Sequence, residues 1–152
     1  MKLSNNRDLA IYMAYFASSG GGPDTTAPVF SSAEVGNIAS NILRMFYNEN
    51  LDTSSVPATT DFTVNDGAAN AVTNVAISAG VISLTLTRAV DNGDTVVVSY
   101  TKGANPIQDV PGNDAINLTT ESVTNNVAGA SYMTDSEGNR VKDSEGNDII
   151  IP

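Results

Sequence analysis

The chain contains no cysteine, no histidine and no tryptophan. Without cysteine it has neither disulfides nor thiol nucleophiles, and without histidine it lacks the commonest general base and transition-metal ligand. These absences exclude the usual zinc and iron sites and histidine-based catalytic triads. Because no tryptophan is present to form a sugar platform, a glycosidase site is unsupported as well. Carboxylates are the candidate chemical groups that remain, and we expect no enzymatic activity.

Basic residues are also scarce. Seventeen acidic residues against seven basic ones give the chain a net charge of −10. A field of this sign repels phosphate backbones and anionic lipid headgroups, so we expect no nucleic acid partner. We interpret the acidity as a source of solubility, and divalent cation binding is the alternative. The apolar run at residues 9–17 is shorter than the roughly 20 residues that a membrane span needs, so no span is expected.

Residues 1–22 are predicted to form a helical arm and a glycine-rich tether. Four apolar residues recur at the spacing i, i+3, i+4 and i+7, which places them on one helical face. They are Leu9, Tyr12, Met13 and Phe16. A helix of about 12 residues is marginal alone in water, so this face should bind either its own sandwich or a partner.

A secretory signal peptide is the competing interpretation of the same segment. Lys2 and Arg7 precede the apolar run, as they would in such a signal. Asp8 abuts the run, however, and the run is short and contains two tyrosines. We therefore favour the helical arm.

Residues 23–127 read as one all-β domain, an immunoglobulin-like β-sandwich of about seven strands. Short alternating runs recur there between Gly, Asn, Asp and Pro residues, at the spacing typical of a sandwich. The strands are predicted at 29–35, 42–47, 62–64, 71–77, 81–86, 95–100 and 121–127. Alternation points one set of side chains inward, namely Leu43, Met45, Tyr47, Ile82, Leu84 and Leu86. The pairs Asp66-Gly67, Ala79-Gly80 and Asn92-Gly93 are predicted as reversals in which glycine takes a positive φ.

Residues 128–152 form a C-terminal β-repeat arm. The segment 134–141 is followed at once by the similar segment 142–149, so the repeat is eight residues long. Its Asp-Ser-Glu-Gly-Asn chemistry predicts a short strand and a reversal in each unit. Two such units cannot bury a core of their own, so we expect the tail to pair with its own sandwich or with another subunit. The partner-binding candidates are Val141, Ile149, Ile150 and Ile151.

Five segments occur in order along the middle of the chain: 24–28, 47–52, 94–100, 105–113 and 123–126. With them the chain resembles the SwmB-type bacterial immunoglobulin-like repeat. That repeat occurs in tandem in large cell-surface and motility-associated bacterial proteins, and singly in some phage virion proteins. The resemblance implies an immunoglobulin-like fold in an extracellular or virion-surface structural module, and no particular activity.

A single repeat between a short helix and a repeat tail favours a phage virion protein. We expect a capsid decoration protein or tail appendage, made in the host cytoplasm and displayed on the virion surface. Its partners would be a major capsid or tail protein and further copies of itself, held through the terminal arms. The alternative is a module of a bacterial cell-surface or extracellular adhesive assembly, which would recognise a host receptor or glycan through Phe46 and nearby loops.

A calcium site is a further hypothesis. Several oxygen-bearing side chains fall at strand ends or loops that would share one pole of the sandwich, and calcium takes six to eight such ligands. The carboxylates are Asp24, Glu49, Asp52, Asp109 and Asp114, and Asn113 could add a side-chain carbonyl. The set that we favour as ligands is Asp24, Glu49, Asp109 and Asn113. The alternative is turn chemistry, with residues 109–113 forming an Asx-stabilised reversal, and we favour it. No other cofactor is expected.

Overall fold

The computed structural model describes residues 23–151, which form nine β-strands and one 3-10 turn. The predicted helical arm, with Leu9, Tyr12, Met13 and Phe16, lies outside the described residues. The strands are β1 (Phe30–Val35), β2 (Ile42–Tyr47), β3 (Phe62–Asn65), β4 (Val72–Ser78), β5 (Val81–Leu86), β6 (Val96–Tyr100), β7 (Leu118–Asn125), β8 (Ser131–Tyr132) and β9 (Ile150–Ile151). No helix in this part of the chain is long and apolar enough to cross a membrane.

The predicted all-β class is confirmed, and each of the seven predicted strands is present. β2 and β5 have the predicted bounds, and along both strands buried side chains alternate with more exposed ones. β7 differs most, since it begins at Leu118 rather than three residues later. Thr120 adopts a φ of 53° there, at an irregularity in the pairing with β6. This bulge breaks the alternation from which a strand start is predicted.

Strands β1 to β7 form one sheet in the order β3-β6-β7-β1-β2-β5-β4. All neighbours are antiparallel except β1 and β7, which pair in parallel at Glu34↔Thr124 and Val35↔Asn125. This parallel pair joins β4-β5-β2-β1 to β3-β6-β7. The sheet therefore wraps around a single core as a sandwich that approaches a barrel.

The core follows the predicted alternation. Leu43 and Met45 of β2 and Leu84 of β5 are fully buried, and they join the buried residues of both halves in one cluster. Phe46, on the opposite face of β2, is half-buried. The Tyr100 hydroxyl accepts a hydrogen bond of 2.8 Å from the Ile107 backbone N–H. This bond holds the long loop after β6 against the core.

Two of the three predicted turns use glycine as expected. Gly67 and Gly93 have φ values of 101° and 85°. At the third turn the prediction is wrong, because Ala79 carries the positive φ, 49°. Gly80 is needed for space, since a Cβ there would lie 2.6 Å from the backbone oxygen of Glu49.

Each eight-residue unit of the tail forms the predicted reversal. The Asp135 carboxylate accepts the backbone N–H groups of Glu137 and Asn139, both at 2.9 Å. Asp143 repeats these contacts eight residues later. The glycines of the two units, Gly138 and Gly146, have φ values of 87° and 89°. The repeat in sequence is thus a repeat in backbone geometry.

Three backbone hydrogen bonds close the tail into a ring. Met133 N–H donates to Ile149, Ile149 to Val141, and Val141 back to Met133, at 2.8 to 3.0 Å. β8 pairs with β9 and with no strand of the sandwich, so the expected pairing with its own sandwich is not formed. Val141 and Ile149 are half-buried, while Ile150 and Ile151 are exposed.

Candidate functional site

Three of the predicted carboxylates meet at one pole of the sandwich. Oxygens of Asp24, Glu49 and Asp109 all lie within 4.8 Å of one another. Because β1 and β2 are antiparallel, the chain before β1 and the chain after β2 reach the same pole. A bridge between Leu51 and Asp109 brings the loop after β6 beside them. We call these three residues the acidic cluster.

Asp109 is the buried member of the acidic cluster, with 1% of its surface exposed. Its carboxylate accepts the backbone N–H groups of Gly112 and Asn113 at 2.7 and 2.6 Å, so the predicted Asx-stabilised reversal is confirmed. Burial alone would raise the pKa of Asp109. The hydrogen bonds from Asn113 and Gly112 outweigh burial and hold the pKa below its ordinary value.

Glu49 is the half-exposed member of the acidic cluster, and its neighbours disfavour its ionisation. Partial burial, and then the negative charges of Asp109 and Asp24, raise the pKa of Glu49. Three carboxylates this close offer only oxygen ligands, which suits calcium and does not suit a soft metal. These three carboxylates are therefore the residues that could hold a hard cation, and calcium binding stays a prediction.

The other predicted oxygen ligands are engaged elsewhere. The Asp52 carboxylate accepts the backbone N–H of Ser54 at 2.8 Å, and Asp114 forms an ion pair of 3.2 Å with Lys102. Asn113 touches the cluster through its amide nitrogen, which donates to the Asp24 backbone oxygen and to the Asp109 carboxylate. Its role as an oxygen ligand stays a prediction.

A buried polar network lies at the pole of the sandwich opposite the acidic cluster, and it was not predicted from the sequence. The Asp66 side chain, 1% exposed, accepts hydrogen bonds from Asn70 and from the Arg88 guanidinium. Burial opposes ionisation, but these partners outweigh it and lower the pKa of Asp66. The partners lie up to 22 residues away, so local turn chemistry gave no signal of them. The network holds the turn after β3 against the end of β5.

An open groove lies beside this network. It has a volume of about 170 Å³ and is lined by Phe62, Thr63, Val64, Ala69, Asn70 and Ala71. Small-molecule sites usually enclose about 300–1,000 Å³, and this lining brings no acid, base or metal ligand together.

Asparagine side chains tie the start of the tail to the sandwich. Asn92 donates to the Val127 backbone oxygen at 2.6 Å, and Asn37 accepts the Ala128 N–H at 3.0 Å. Asn125 accepts the Val127 N–H, also at 3.0 Å. We call these contacts to residues 127 and 128 the junction. Sequence reasoning treated Asn92 only as a turn residue, because its partner lies 35 residues away.

The fold is an all-β, sandwich-like domain of seven strands, which is the class of protein that the comparisons with known proteins also indicate. The family model described as "Putative flagellar system-associated repeat" matches residues 23–105, more than half of the chain. The chain belongs to this SWM repeat family. The SwmB-type resemblance seen in the sequence is thereby confirmed, while its phage setting gains no support. No curated protein matches the chain.

The fold is similar to domains of the bacterial S-layer protein SbsC. The N-terminal part of SbsC matches with a TM-score of 0.56 and 16% identity over 95% of this chain. A longer SbsC structure, rSbsC(31-844), matches with the same TM-score and 18% identity over 95% of this chain. The chain spans only 35% and 20% of those two structures. At this level of identity the likeness establishes the fold alone.

Proposed function

We propose that this chain is a non-enzymatic structural module of a bacterial cell-surface or other extracellular assembly. The observation that carries the proposal is the family match over residues 23–105. The fold of the chain is also similar to that of domains in an S-layer protein. These comparisons favour the alternative over the virion protein that the sequence alone suggested. Location and assembly state are part of the proposal.

The chemistry of the described residues supports a passive module. The acidic cluster is held by turns, and the buried Asp66 network ties two strands together. The groove beside it offers no acid, base or metal ligand to a substrate. The net charge of −10 suits a soluble surface that repels copies of itself except where specific contacts form.

We place attachment to neighbouring molecules at the two termini. In the tail, Ile150 and Ile151 are 61% and 46% exposed, and Met133 is 44% exposed. Within residues 23–151, β9 pairs with one strand, so its other edge could accept a strand from another molecule. The apolar residues of the N-terminal segment, Leu9 and Phe16 among them, are the proposed second contact.

Fractionation of source cells tests the proposal. Cell envelope, surface extract, culture medium and purified virus particles are compared by quantitative mass spectrometry of this chain. We expect the chain in the surface extract or the medium, alongside other surface-layer proteins. Recovery with a major capsid or tail protein in purified particles would contradict the proposal and restore the virion interpretation.

A further inference from the structure

Asn92 and Gly93 lie at the centre of a tight turn before β6, and they are the one Asn-Gly step in the sequence. The Asp94 N–H donates to the Asp91 backbone oxygen at 3.2 Å, and the Asp94 carboxylate accepts the Asp91 N–H at 2.9 Å. The two central residues are exposed. The turn therefore presents both of them to water.

This geometry meets the needs of one spontaneous reaction. The Gly93 N–H donates to no acceptor among the described residues, so its nitrogen is free to lose a proton and act as a nucleophile. Glycine carries no Cβ that would screen this nitrogen, and a Cβ placed there would meet nothing within 4 Å. The Asn92 side-chain Cγ is the electrophile that a five-membered ring would reach.

We propose that Asn92 is a deamidation site. The deprotonated Gly93 nitrogen attacks Asn92 Cγ, a C–N bond forms, and the side-chain amide leaves as ammonia. Water then opens the cyclic imide at one of its two carbonyls, which yields aspartate or isoaspartate. One water is consumed and one ammonia released, and no electron is transferred.

Asp66-Gly67 could form the same cyclic imide, with loss of water instead of ammonia, but its environment opposes the reaction. The Asp66 side chain is buried and held by Asn70 and Arg88. The Gly67 N–H is itself occupied, since it donates to the Asn65 side-chain oxygen at 3.0 Å. The side chains of Asp66 and Asn92 are both hydrogen-bonded, but only at Gly67 is the attacking nitrogen engaged as well, so this step serves as an internal control.

The reaction at Asn92 would change the junction. The Asn92 amide donates the 2.6 Å bond to the Val127 backbone oxygen, and a carboxylate has no proton to donate. The new charge would face that carbonyl, between Asp91 and Asp94. Asn37 and Asn125 would keep their contacts. Deamidation therefore removes one tie and loosens the start of the tail as the protein ages.

The full chain, aged in mildly acidic and mildly alkaline buffer, tests this inference. Trypsin releases residues 89–102, in which Asn92 is the one asparagine. We expect the acid and isoaspartate forms of this peptide to accumulate faster in alkaline buffer, while residue 66 stays unmodified. Amide hydrogen exchange at residues 128–130 should rise roughly two- to tenfold in parallel, as loss of one neutral hydrogen bond predicts.

Two variants make the outcome decisive. Asn92→Gln keeps an amide donor but forms the cyclic imide less readily, so it should stay intact. Asn92→Asp should show the faster exchange from the start. An unmodified Asn92, after a synthetic peptide of the same sequence has fully converted, would overturn the proposal. If Asn92 is deamidated but amide hydrogen exchange at residues 128–130 does not rise, the claim that deamidation loosens the junction is wrong.

Discussion

Three carboxylates within 4.8 Å of one another repel unless a proton or a cation intervenes. For Glu49 the folded pKa is raised, so its contribution to stability is present below the ordinary pKa of 4.5 and is lost as the pH rises through the folded value. At neutral pH, ionised Glu49 therefore opposes folding. A bound calcium ion would reverse this effect.

Replacing Glu49 by Gln is expected to raise the melting temperature at neutral pH in the presence of a chelator, because one of three like charges disappears. Adding calcium should raise the melting temperature of the parent protein and should raise that of Glu49→Gln less. Glu121→Gln, in β7 and outside the cluster, is the control. If calcium does not change the melting temperature of the parent protein, the calcium hypothesis is wrong and the acidic cluster has only a turn-forming role.

The Asp66 network makes the opposite prediction. Its lowered pKa means that the stabilisation is present above the ordinary value of 3.8 and is lost as the pH falls through the folded value. Because the side chain is buried and hydrogen-bonded, Asp66→Asn should cost about 1–3 kcal/mol at neutral pH. Urea unfolding measures this cost.

Asp114→Asn is the matched comparison, since its partner Lys102 and Asp114 itself are both more than a third exposed. Breaking this surface pair should cost about 0–1 kcal/mol. Equal losses at the two positions would mean that the Asp66 pair has no more effect on stability than a surface ion pair.

Sequence and structure agree on the acidic cluster for a simple reason. Asp24, Glu49 and Asp109 follow or precede strands whose bounds alternation predicts, so their shared pole could be inferred. By the same reasoning, Asp52 and Asp114 are expected at this pole. In the structure Asp52 instead accepts a hydrogen bond from Ser54, and Asp114 forms an ion pair with Lys102. The spacing of residues along the sequence does not show which hydrogen-bond donor or cation a given carboxylate will contact.

At the scale of the element, β2 and β5 were predictable because each buries one face. The parallel contact of β1 with β7 was not, since the register between strands about 90 residues apart depends on the whole fold. The bulge at Thr120 was hidden for a related reason, because its position is set by β6. The tail reversals, in contrast, depend on contacts within a few residues and were predicted.

The tail is expected to unfold separately from the sandwich, because β8 and β9 pair with each other and with none of the strands β1 to β7. Gly146→Ala forces a Cβ onto a residue with a φ of 89°, at a cost of about 1–2 kcal/mol. We expect faster hydrogen exchange at residues 141–149 and an unchanged unfolding midpoint for the sandwich.

Gly36→Ala is the control, since its nearest neighbouring atom would lie 3.7 Å from the new Cβ and its φ is not in the left-handed region. That variant should leave the tail unchanged. An equal shift of the sandwich midpoint in Gly146→Ala would show instead that tail and sandwich unfold as one cooperative unit.

At the scale of the whole molecule, the two terminal segments leave the sandwich at opposite poles. β1 runs from the acidic cluster, next to the N-terminal segment, toward Asn37 and the junction, where the tail begins. In the proposed function, the two terminal segments would therefore begin at opposite poles of the sandwich. Such an arrangement suits a module that links molecules in an assembly.

Sedimentation velocity of the full chain over a range of concentrations tests this account most directly. Two doubly substituted variants are compared with it, Ile150→Ser with Ile151→Ser and Leu9→Ser with Phe16→Ser. We predict that the parent chain associates and that each variant shifts toward the monomer, because apolar surface at one end has been removed. A parent chain that is monomeric throughout, or variants that associate as the parent does, would contradict the account.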